Sequence, residues 1–230
     1  MRFEQVLFSQ GFGTRHECRG LILQERVCVD GQVLNDPDQD LSVYDAMPFS
    51  VDGKNWQYFE KAIVALNKPA GYECSKKPIH HPSVMTLLPP PLRCRDVQPV
   101  GRLDEDTTGL LILTDDGALQ HRLIHPKKHV AKTYEAQCRH PVSEAMIQKL
   151  LTGVVLADDD KPVKAQEVKL LPGNVLQLTV TQGKYHQIKR MIAAIGNRCD
   201  HLHRTCVGKY RLPDNLPQGQ WCFIKKEDLI

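Results

Sequence analysis

The sequence predicts an α+β protein: a small N-terminal module of two helices and a hairpin, then a larger domain on a mixed, mostly antiparallel sheet with flanking helices. The larger domain alternates between strand and helix patterns without the regular strand–helix–strand rhythm of a parallel sheet. The 230 residues are enough for two separate cores, and we interpret the polar stretch 54–57 as a linker. We therefore expect one domain over residues 1–58 and a second over residues 59–230.

The first module is predicted from local patterns that each specify one element. Apolar residues recur at helical spacing until Gly11-Phe12-Gly13 stops the first helix. Thr14 opens the second helix, and Glu17, three residues later, completes a capping-box pattern. Residues 27–34 then alternate around Asp30-Gly31, which predicts a hairpin.

Periodicity and turn residues predict the elements of the larger domain in the same way. Strands are expected at 62–66, 110–114, 132–138 and 176–180, and helices after 115–117, at 143 and after 183. The Pro-rich stretch 78–91 and the acidic run 158–160 are expected to be loops.

The composition, with 41% hydrophobic and 25% charged residues, is typical of a soluble globular protein. No stretch approaches the ~20 apolar residues of a membrane span or resembles a signal peptide, so we expect a cytoplasmic protein with no membrane partner. Eight dispersed cysteines without a Cys-x-x-Cys pair argue against a disulfide framework. Cys199, His201, His203 and Cys206 suggest zinc as an alternative, but such alternation is also typical of one strand face, and we expect no metal.

Charge is distributed unevenly along the chain. Residues 1–58 contain five basic and nine acidic residues, net −4, whereas residues 59–230 contain 25 and 18, net +7. A polyanion would therefore bind mainly to the larger segment. An ordinary solvated surface of mixed charge explains the same excess almost as well.

The densest polar cluster is the stretch 101–109, Gly-Arg-Leu-Asp-Glu-Asp-Thr-Thr-Gly, which comes directly before an apolar strand. Three adjacent carboxylates repel one another, so such a loop usually serves a cation or a reaction. Arg102 is able to hold a carboxylate ionised or to grip a phosphate. The alternatives are an acidic surface turn, or a metal-binding pair of Asp104 and Asp106 for phosphoryl or glycosyl transfer.

Two further groups carry potential chemistry. Residues 183–191, Gly-Lys-Tyr-His-Gln-Ile-Lys-Arg-Met, gather four potential cations at a predicted helix start, where the helix dipole favours anions. Lys184, Lys189 and Arg190 are candidates for phosphate contacts or for pairing with an acid. Tyr134 lies on a predicted strand, where a base stacks on such a ring at about 1–3 kcal/mol, although core packing explains it equally well.

Together these stretches resemble the pseudouridine synthases of the RsuA type. The stretch 101–110 is similar to the catalytic motif of that family. Four more stretches match its other motifs in order, and the resemblance extends from residue 1 to about 222: Asn67-Lys68-Pro69-Ala70-Gly71, Lys132-Thr133-Tyr134, 183–191 and Leu202-His203-Arg204. The resemblance implies isomerisation of uridine to pseudouridine in ribosomal RNA, without a cofactor.

The resemblance also implies roles for individual residues. Asp104 takes the place of the catalytic aspartate, and Tyr134 that of the tyrosine that stacks on the target base. Lys189 stands where the family places a cation paired with the catalytic carboxylate. Leu202 matches a residue of the uracil pocket, and Arg102 matches a residue that holds the RNA.

Residues 14–31 resemble the small RNA-binding domain named for the ribosomal protein S-four. In that family the basic face of the second helix meets the RNA backbone, which would assign Arg15, Arg19 and Arg26. The loop that follows is acidic here, and the Arg-Leu-Asp opening of the family is replaced by Arg2-Phe3-Glu4. A helical cap with solvated arginines is the alternative.

The Tyr-His-Gln at 185–187 resembles small-subunit enzymes, because large-subunit enzymes generally have Arg-Asn-Arg or a close variant at 184–186. The expected substrate is therefore one uridine of 16S RNA, with a monomer acting on a small-subunit assembly intermediate. A 23S RNA target is the runner-up, and a non-catalytic RNA-binding assembly factor is the alternative from another class.

Overall fold

The structure is a computed structural model that describes residues 1–157 and 161–230, so the acidic run 158–160 lies outside the described residues. The described chain divides into two compact units. The first comprises residues 1–62 and 88–98, and the second comprises residues 63–87 and 99–230. The first unit therefore differs from the expected module 1–58, because it also takes in a segment from much further along the chain.

The first unit consists of three helices and four strands. They are α1 (Phe3–Ser9), α2 (Arg15–Leu23), β1 (Val27–Val29), β2 (Gln32–Leu34), β3 (Pro48–Val51), β4 (Lys54–Gln57) and α3 (Pro90–Cys94). The strands form an antiparallel sheet in the order β2-β1-β3-β4. The predicted capping box is confirmed, since the Thr14 amide donates to Glu17 Oε2 at 2.6 Å and the Glu17 amide donates to Thr14 Oγ1 at 3.3 Å.

The interpretation of residues 54–57 as a linker is wrong, because they form β4 and pair with β3 along its whole length. Asp52 and Gly53 both have positive φ, +53° and +72°, and so make the tight turn that joins the two strands. Trp56 packs its ring against the core of this unit. The strand is hard to recognise from sequence because Lys54, Asn55 and Gln57 are polar and exposed, and only Trp56 is partly buried.

The segment 88–98 is held in the first unit by packing and by hydrogen bonds. Leu92 on α3 is fully buried. Arg95 Nη1 donates to the Gln10 side-chain oxygen at 2.6 Å and to the Phe59 carbonyl at 2.9 Å. The expectation that the Pro-rich stretch 78–91 is all loop is therefore wrong. Pro90 and Pro91 occupy the first turn of α3, where a missing N–H costs nothing.

Among the residues that the structure describes, the second unit is built on a sheet of nine strands. They are β5 (Ile63–Lys68), β6 (Gln98–Pro99), β7 (Thr108–Thr114), β8 (Lys132–Cys138), β9 (Glu167–Leu171), β10 (Val175–Val180), β11 (Cys199–Val207), β12 (Tyr210–Arg211) and β13 (Trp221–Phe223). The main order is β13-β5-β7-β11-β8-β10-β9, and β12 pairs with β11. In that order β7 and β11 are parallel and the other neighbours are antiparallel, which confirms the predicted mixed, mostly antiparallel sheet.

Helices and short 3-10 turns connect these strands. The helices are α4 (Gly117–Ile124), α5 (Glu144–Thr152), α6 (Gln187–Ala194) and α7 (Lys226–Leu229), and the 3-10 turns are Val84–Leu87 and Pro126–Lys128. None of the described helices combines the length and apolar character that a membrane crossing requires. One core of the unit packs α5 and α6 against β8 and β10, and another packs α4 against β5 and β7.

The parallel junction of β7 and β11 depends on Gly109, which lies opposite Arg204. Its φ is +99°, and an added Cβ would lie 2.3 Å from the carbonyl oxygen of Arg204 and 2.8 Å from its amide nitrogen. Both obstacles are backbone atoms, which cannot rotate away. Gly109 therefore sets how closely the strand after the 101–109 loop approaches β11.

We expect Gly109→Ala to lower the free energy of unfolding by about 2–4 kcal/mol, because β11 must move or the backbone must strain. The melting temperature should then fall by at least about 5 °C. Gly117→Ala is the matched control, because that glycine starts α4 and a Cβ there meets nothing within 4 Å. Equal melting temperatures for the Gly109→Ala variant and the wild type would contradict this account.

Candidate active site

A buried lysine holds the backbone of the loop that carries Asp104. Lys68, the last residue of β5, is fully buried, and its Nζ lies within 2.8–3.1 Å of the carbonyl oxygens of Pro69, Asp104, Glu105 and Thr107. The amide of Gly71 also donates to the Glu105 carbonyl, at 2.9 Å. Burial lowers the pKa of Lys68, although the nearby thiol and carboxylates oppose that shift. The ammonium and the carbonyl dipoles together set the path of the loop backbone.

The Asp104 carboxylate lies between two basic side chains from the start of α6. His186 Nε2 is 3.2 Å from Asp104 Oδ1, and Lys189 Nζ is 3.6 Å from Asp104 Oδ2. Lys189 is closer to Asp106, whose two oxygens accept from Nζ at 2.6 and 2.8 Å. The expected ion pair between Lys189 and Asp104 is therefore present, but it is longer than the pair between Lys189 and Asp106. Asp104 also pairs with His186.

The interaction between Asp106 and Lys189 favours the ionised forms of these two side chains. Burial alone would raise the pKa of Asp106, but the hydrogen bond and charge of Lys189 outweigh it and the pKa is lowered. Burial would likewise lower the pKa of Lys189, but Asp106 and then Asp104 raise it. Lys189 is therefore a fixed positive charge beside the Asp104 carboxylate.

The turn before α6 places His186 by an unusual backbone conformation. His186 is the N-cap of α6 with φ +47° and ψ +32°, a left-handed conformation that is uncommon for residues other than glycine. The Lys184 amide donates to the Gln187 side-chain oxygen at 2.9 Å, and Gln187 itself is buried. The conformation aims the imidazole at Asp104, and such strain is typical of functional sites.

Asp104 opens onto a cavity of about 860 Å³ within the second unit. This volume lies within the range of ligand pockets. The side chains that line the cavity and were predicted from sequence are those of Arg102, Asp104, Tyr134, Lys184 and Leu202. The lining also contains residues to which the sequence assigned no role, among them Lys132, Tyr185, His186 and Arg204.

The inner part of the cavity wall combines Tyr134 with two cations from β8 and β11. Arg204 is 2% exposed; its Nε donates to the Leu110 carbonyl at 2.7 Å, and its Nη1 lies 3.4 Å from the Tyr134 hydroxyl. The guanidinium carbon is 5.9 Å from the centre of the tyrosine ring. Arg204 Nη2 is buried without a hydrogen-bond partner among the described residues. Burial and the charge of Arg204 lower the pKa of Lys132 to about 8.

The other predicted residues take different positions. Leu202 is buried in the core beneath the cavity. Arg190 is not among the described residues that line the cavity, and its Nη1 donates to the Tyr185 carbonyl at 3.3 Å. Lys189 reaches the site only through the two carboxylates.

The three arginines of the first unit that were predicted to contact RNA engage acidic or aromatic side chains. Arg19 pairs with Glu4 and Asp38 at 2.9–3.0 Å, and Arg26 pairs with Asp52 at 2.6–2.7 Å. Arg15 is exposed, and its guanidinium lies 5.3 Å from the centre of the Phe8 ring. Three of the acidic residues that make residues 1–58 net negative are therefore direct partners of Arg19 and Arg26, which were predicted to contact RNA.

In the part of the chain that the structure describes, no three His, Cys, Asp or Glu side chains are grouped around a possible metal position. The zinc alternative therefore has no set of ligands there. His203 Nδ1 instead lies 2.8 Å from the Thr108 hydroxyl. Burial raises the pKa of the Cys199 thiol to about 12, and its Sγ lies 3.3 Å from the His201 carbonyl. All eight cysteines are free thiols.

Comparison with known proteins places this geometry in a family. A model described as RNA pseudouridylate synthase matches residues 62–194, and an S4 domain model matches residues 1–45. A crystal structure of a pseudouridylate synthase covers 99% of this chain and 97% of its own, with a TM-score of 0.69 and 30% identity.

Curated relatives match over the full length of the chain. An uncharacterized RNA pseudouridine synthase of Bacillus subtilis, YtzG, is 36% identical over 100% of this chain and 97% of its own length. Ribosomal small subunit pseudouridine synthase A of Yersinia pestis is 35% identical with the same coverage, and that of Escherichia coli K12 is 32% identical over 100% and 98%. The chain therefore belongs to the RNA pseudouridylate synthase family, in its RsuA-type branch with an N-terminal S4 domain, and is an isomerase.

Proposed function

We propose that this enzyme converts one uridine of 16S ribosomal RNA to pseudouridine, with Asp104 as the catalytic carboxylate. The observation that carries the proposal is the position of Asp104, which lies between His186 and Lys189 at a cavity that also presents the ring of Tyr134. The names of the relatives in Yersinia pestis and Escherichia coli support the small subunit as the source of the RNA.

The chemistry needs few groups. The bond from uracil N1 to the ribose C1′ breaks, the base turns, and C5 bonds to C1′ while the proton of C5 leaves and N1 gains one. Nothing is oxidised and no atom is imported, so the reaction needs no redox partner. An ionised aspartate starts it, either by attacking C1′ or by removing a ribose proton.

The target nucleotide must leave its stack to reach Asp104, and the cavity offers partners for the extruded base. Tyr134 supplies a stacking surface and Leu202 an apolar wall. Arg204 and Lys132 supply positive charge at the inner wall, and the buried Nη2 of Arg204 is a donor for a substrate oxygen. Exposed Arg102 and half-buried Lys184 line the same cavity and would bind the phosphates on either side of the target.

The proposal is tested with 16S and 23S transcripts labelled with tritium at uracil C5, because the isomerisation releases that hydrogen to water. We expect tritium release from 16S RNA only, and sequencing of the product should place pseudouridine at one position. Release from 23S RNA alone would assign the enzyme to the large subunit. No release from either RNA, or from assembly intermediates, would contradict the proposed activity.

We further propose that residues 1–58 act as the RNA-binding module and residues 59–230 as the catalytic domain. The enzyme would work in the cytoplasm as a monomer on a small-subunit assembly intermediate. The S4 domain match over residues 1–45 supports the first assignment. The net charges of −4 and +7 indicate that the catalytic domain supplies most of the electrostatic attraction.

We expect Arg102→Gln together with Lys184→Gln to weaken RNA binding more than Arg19→Gln together with Arg26→Gln. Arg19 and Arg26 already donate their hydrogen bonds to carboxylates, so we expect them to make fewer phosphate contacts in the wild type. Filter binding over a salt series should give a slope smaller by about one for each lost phosphate contact in the first pair, and a nearly unchanged slope in the second. The reverse ranking would show that the N-terminal unit makes the main phosphate contacts.

A further inference from the structure

Tyr185 presents a large aromatic surface beside the cavity. Its side chain is 71% exposed, the second-highest exposure among the large hydrophobic side chains of the described residues. The ring lies on the imidazole of His186, with the ring centres 3.8 Å apart and the planes within 20°. One face of the tyrosine therefore covers His186, and its other face remains open to solvent.

The position of this ring is fixed by the catalytic cluster itself. His186, on which it stacks, is held in its left-handed conformation and lies 3.2 Å from Asp104. The carbonyl of Tyr185 accepts from Arg190 Nη1 at 3.3 Å, which fixes the same turn from the other side. The ring of Tyr185 therefore forms an aromatic platform one stacked ring away from the residue that contacts Asp104.

We propose that the open face of Tyr185 stacks on an unpaired base adjacent to the target uridine. The inference rests on the proposed function, because extruding a uridine breaks its stacking with both neighbours. An exposed aromatic ring recovers part of that loss, and it does so for any base, since every base has a π-face. Tyr185 and Tyr134 line the same cavity, so a flipped base and its neighbour can be bound together.

The surroundings favour nucleic acid as the occupant of this platform. His186 and Lys189 face the carboxylates of Asp104 and Asp106, and Lys184 and Arg190 add two further positive charges to the same stretch, which contains no acidic residue between 183 and 191. Such a basic setting attracts a phosphate backbone. Tyr185 thus has a role distinct from that of half-buried Tyr134, because it binds the neighbour of the reacting nucleotide.

The test compares Tyr185→Ala and Tyr185→Phe with wild type in single-turnover reactions over a range of enzyme concentrations. Three RNAs that contain the target are used: the natural sequence, one abasic on the 5′ side of the target, and one abasic on the 3′ side. On the natural RNA, Tyr185→Ala should raise the half-saturating enzyme concentration about tenfold with little change in the maximal rate. Tyr185→Phe should match wild type, because the ring stacks without its hydroxyl. On one of the two abasic RNAs, Tyr185→Ala and wild type should have the same half-saturating enzyme concentration.

The control is Leu170→Ala, which removes an exposed apolar side chain, 47% exposed, from β9 of the second unit. Leu170 is not among the described residues that line the cavity, so this change should alter none of these values. An alanine penalty of equal size on all three RNAs, no penalty on the natural RNA, or an equal loss in Tyr185→Phe would overturn the platform. A lower maximal rate with unchanged half-saturation would also overturn it, because the ring would then act through His186.

Each of these outcomes leaves pseudouridine formation by the wild type intact. A wild type that modifies none of the RNAs would refute the proposed function and this inference with it.

Discussion

Asp104→Asn should bind ribosomal RNA with near wild-type affinity and form pseudouridine at least about 10³-fold more slowly. Asparagine has nearly the same shape, so the contact with His186 and the backbone bonds from Lys68 to the loop are preserved. It is neither a nucleophile at C1′ nor a base for a ribose proton. The loss should therefore fall on the maximal single-turnover rate, measured by tritium release, and not on binding measured on filters.

Asp106→Asn is the matched control for that experiment, because it lies two residues away in the same loop and is also paired with Lys189. Removing it frees Lys189 to pair with Asp104 alone, and much of the activity should remain. If the two variants lost activity equally, the cluster would act as a unit and Asp104 would have no special role. Turnover by purified Asp104→Asn near the wild-type rate would remove Asp104 from the mechanism.

Much of the fold could be predicted because several elements depend on local patterns. The capping box at Thr14, the strand 132–138 and the helix that begins after Ser143 are all determined by residues close in sequence, and all are confirmed. Element β9 was missed because its residues are mostly exposed and show no alternation to a buried face. The segment 88–98 was misassigned because its place in the first unit depends on contacts of Arg95 with Phe59 and Gln10, which are 36 and 85 residues away.

The candidate site was predicted in outline but not in its internal contacts. Asp104 and Tyr134 were named from motifs, and both line the cavity. Lys68 and Arg204 were identified only as members of matched motifs, without a role of their own. The clue to Lys68 was a lysine at the end of an otherwise apolar strand, where a buried ammonium needs several acceptors. The clue to Arg204 was an arginine within an alternating strand, but only the sheet order brings it to Tyr134.

The pairing of Lys189 shows why spacing does not fix a charge network. Asp104 and Asp106 lie two positions apart, and the sequence offered no reason to prefer Asp106 as the closer partner. The choice depends on His186, whose left-handed backbone brings a second basic group to Asp104. Lys189 therefore influences Asp104 from 3.6 Å by its charge, while its hydrogen bonds go to Asp106.

Lys189→Met should shift the pH–rate profile to higher pH while leaving RNA affinity nearly unchanged. The pKa of Lys189 is raised and the pKa of Asp106 is lowered, so this pair stays ionised through the neutral range and wild type keeps a cation beside Asp104 there. Without that cation, protonation of the acidic cluster becomes easier, and the acidic limb of the profile should move up by about one pH unit. Activity should therefore fall on the acidic side of the profile and recover as the pH rises.

Lys189→Arg is the control that separates charge from the other properties of the side chain, because it keeps the cation while its geometry differs. It should retain much of the activity and the wild-type profile. Single-turnover rates at saturating enzyme, measured from acid to alkaline pH, distinguish the two possibilities for Lys189. A loss in Lys189→Met that is confined to affinity and is the same at every pH would mean that Lys189 binds a phosphate instead, since a bound phosphate would not shift the ionisation of the carboxylates.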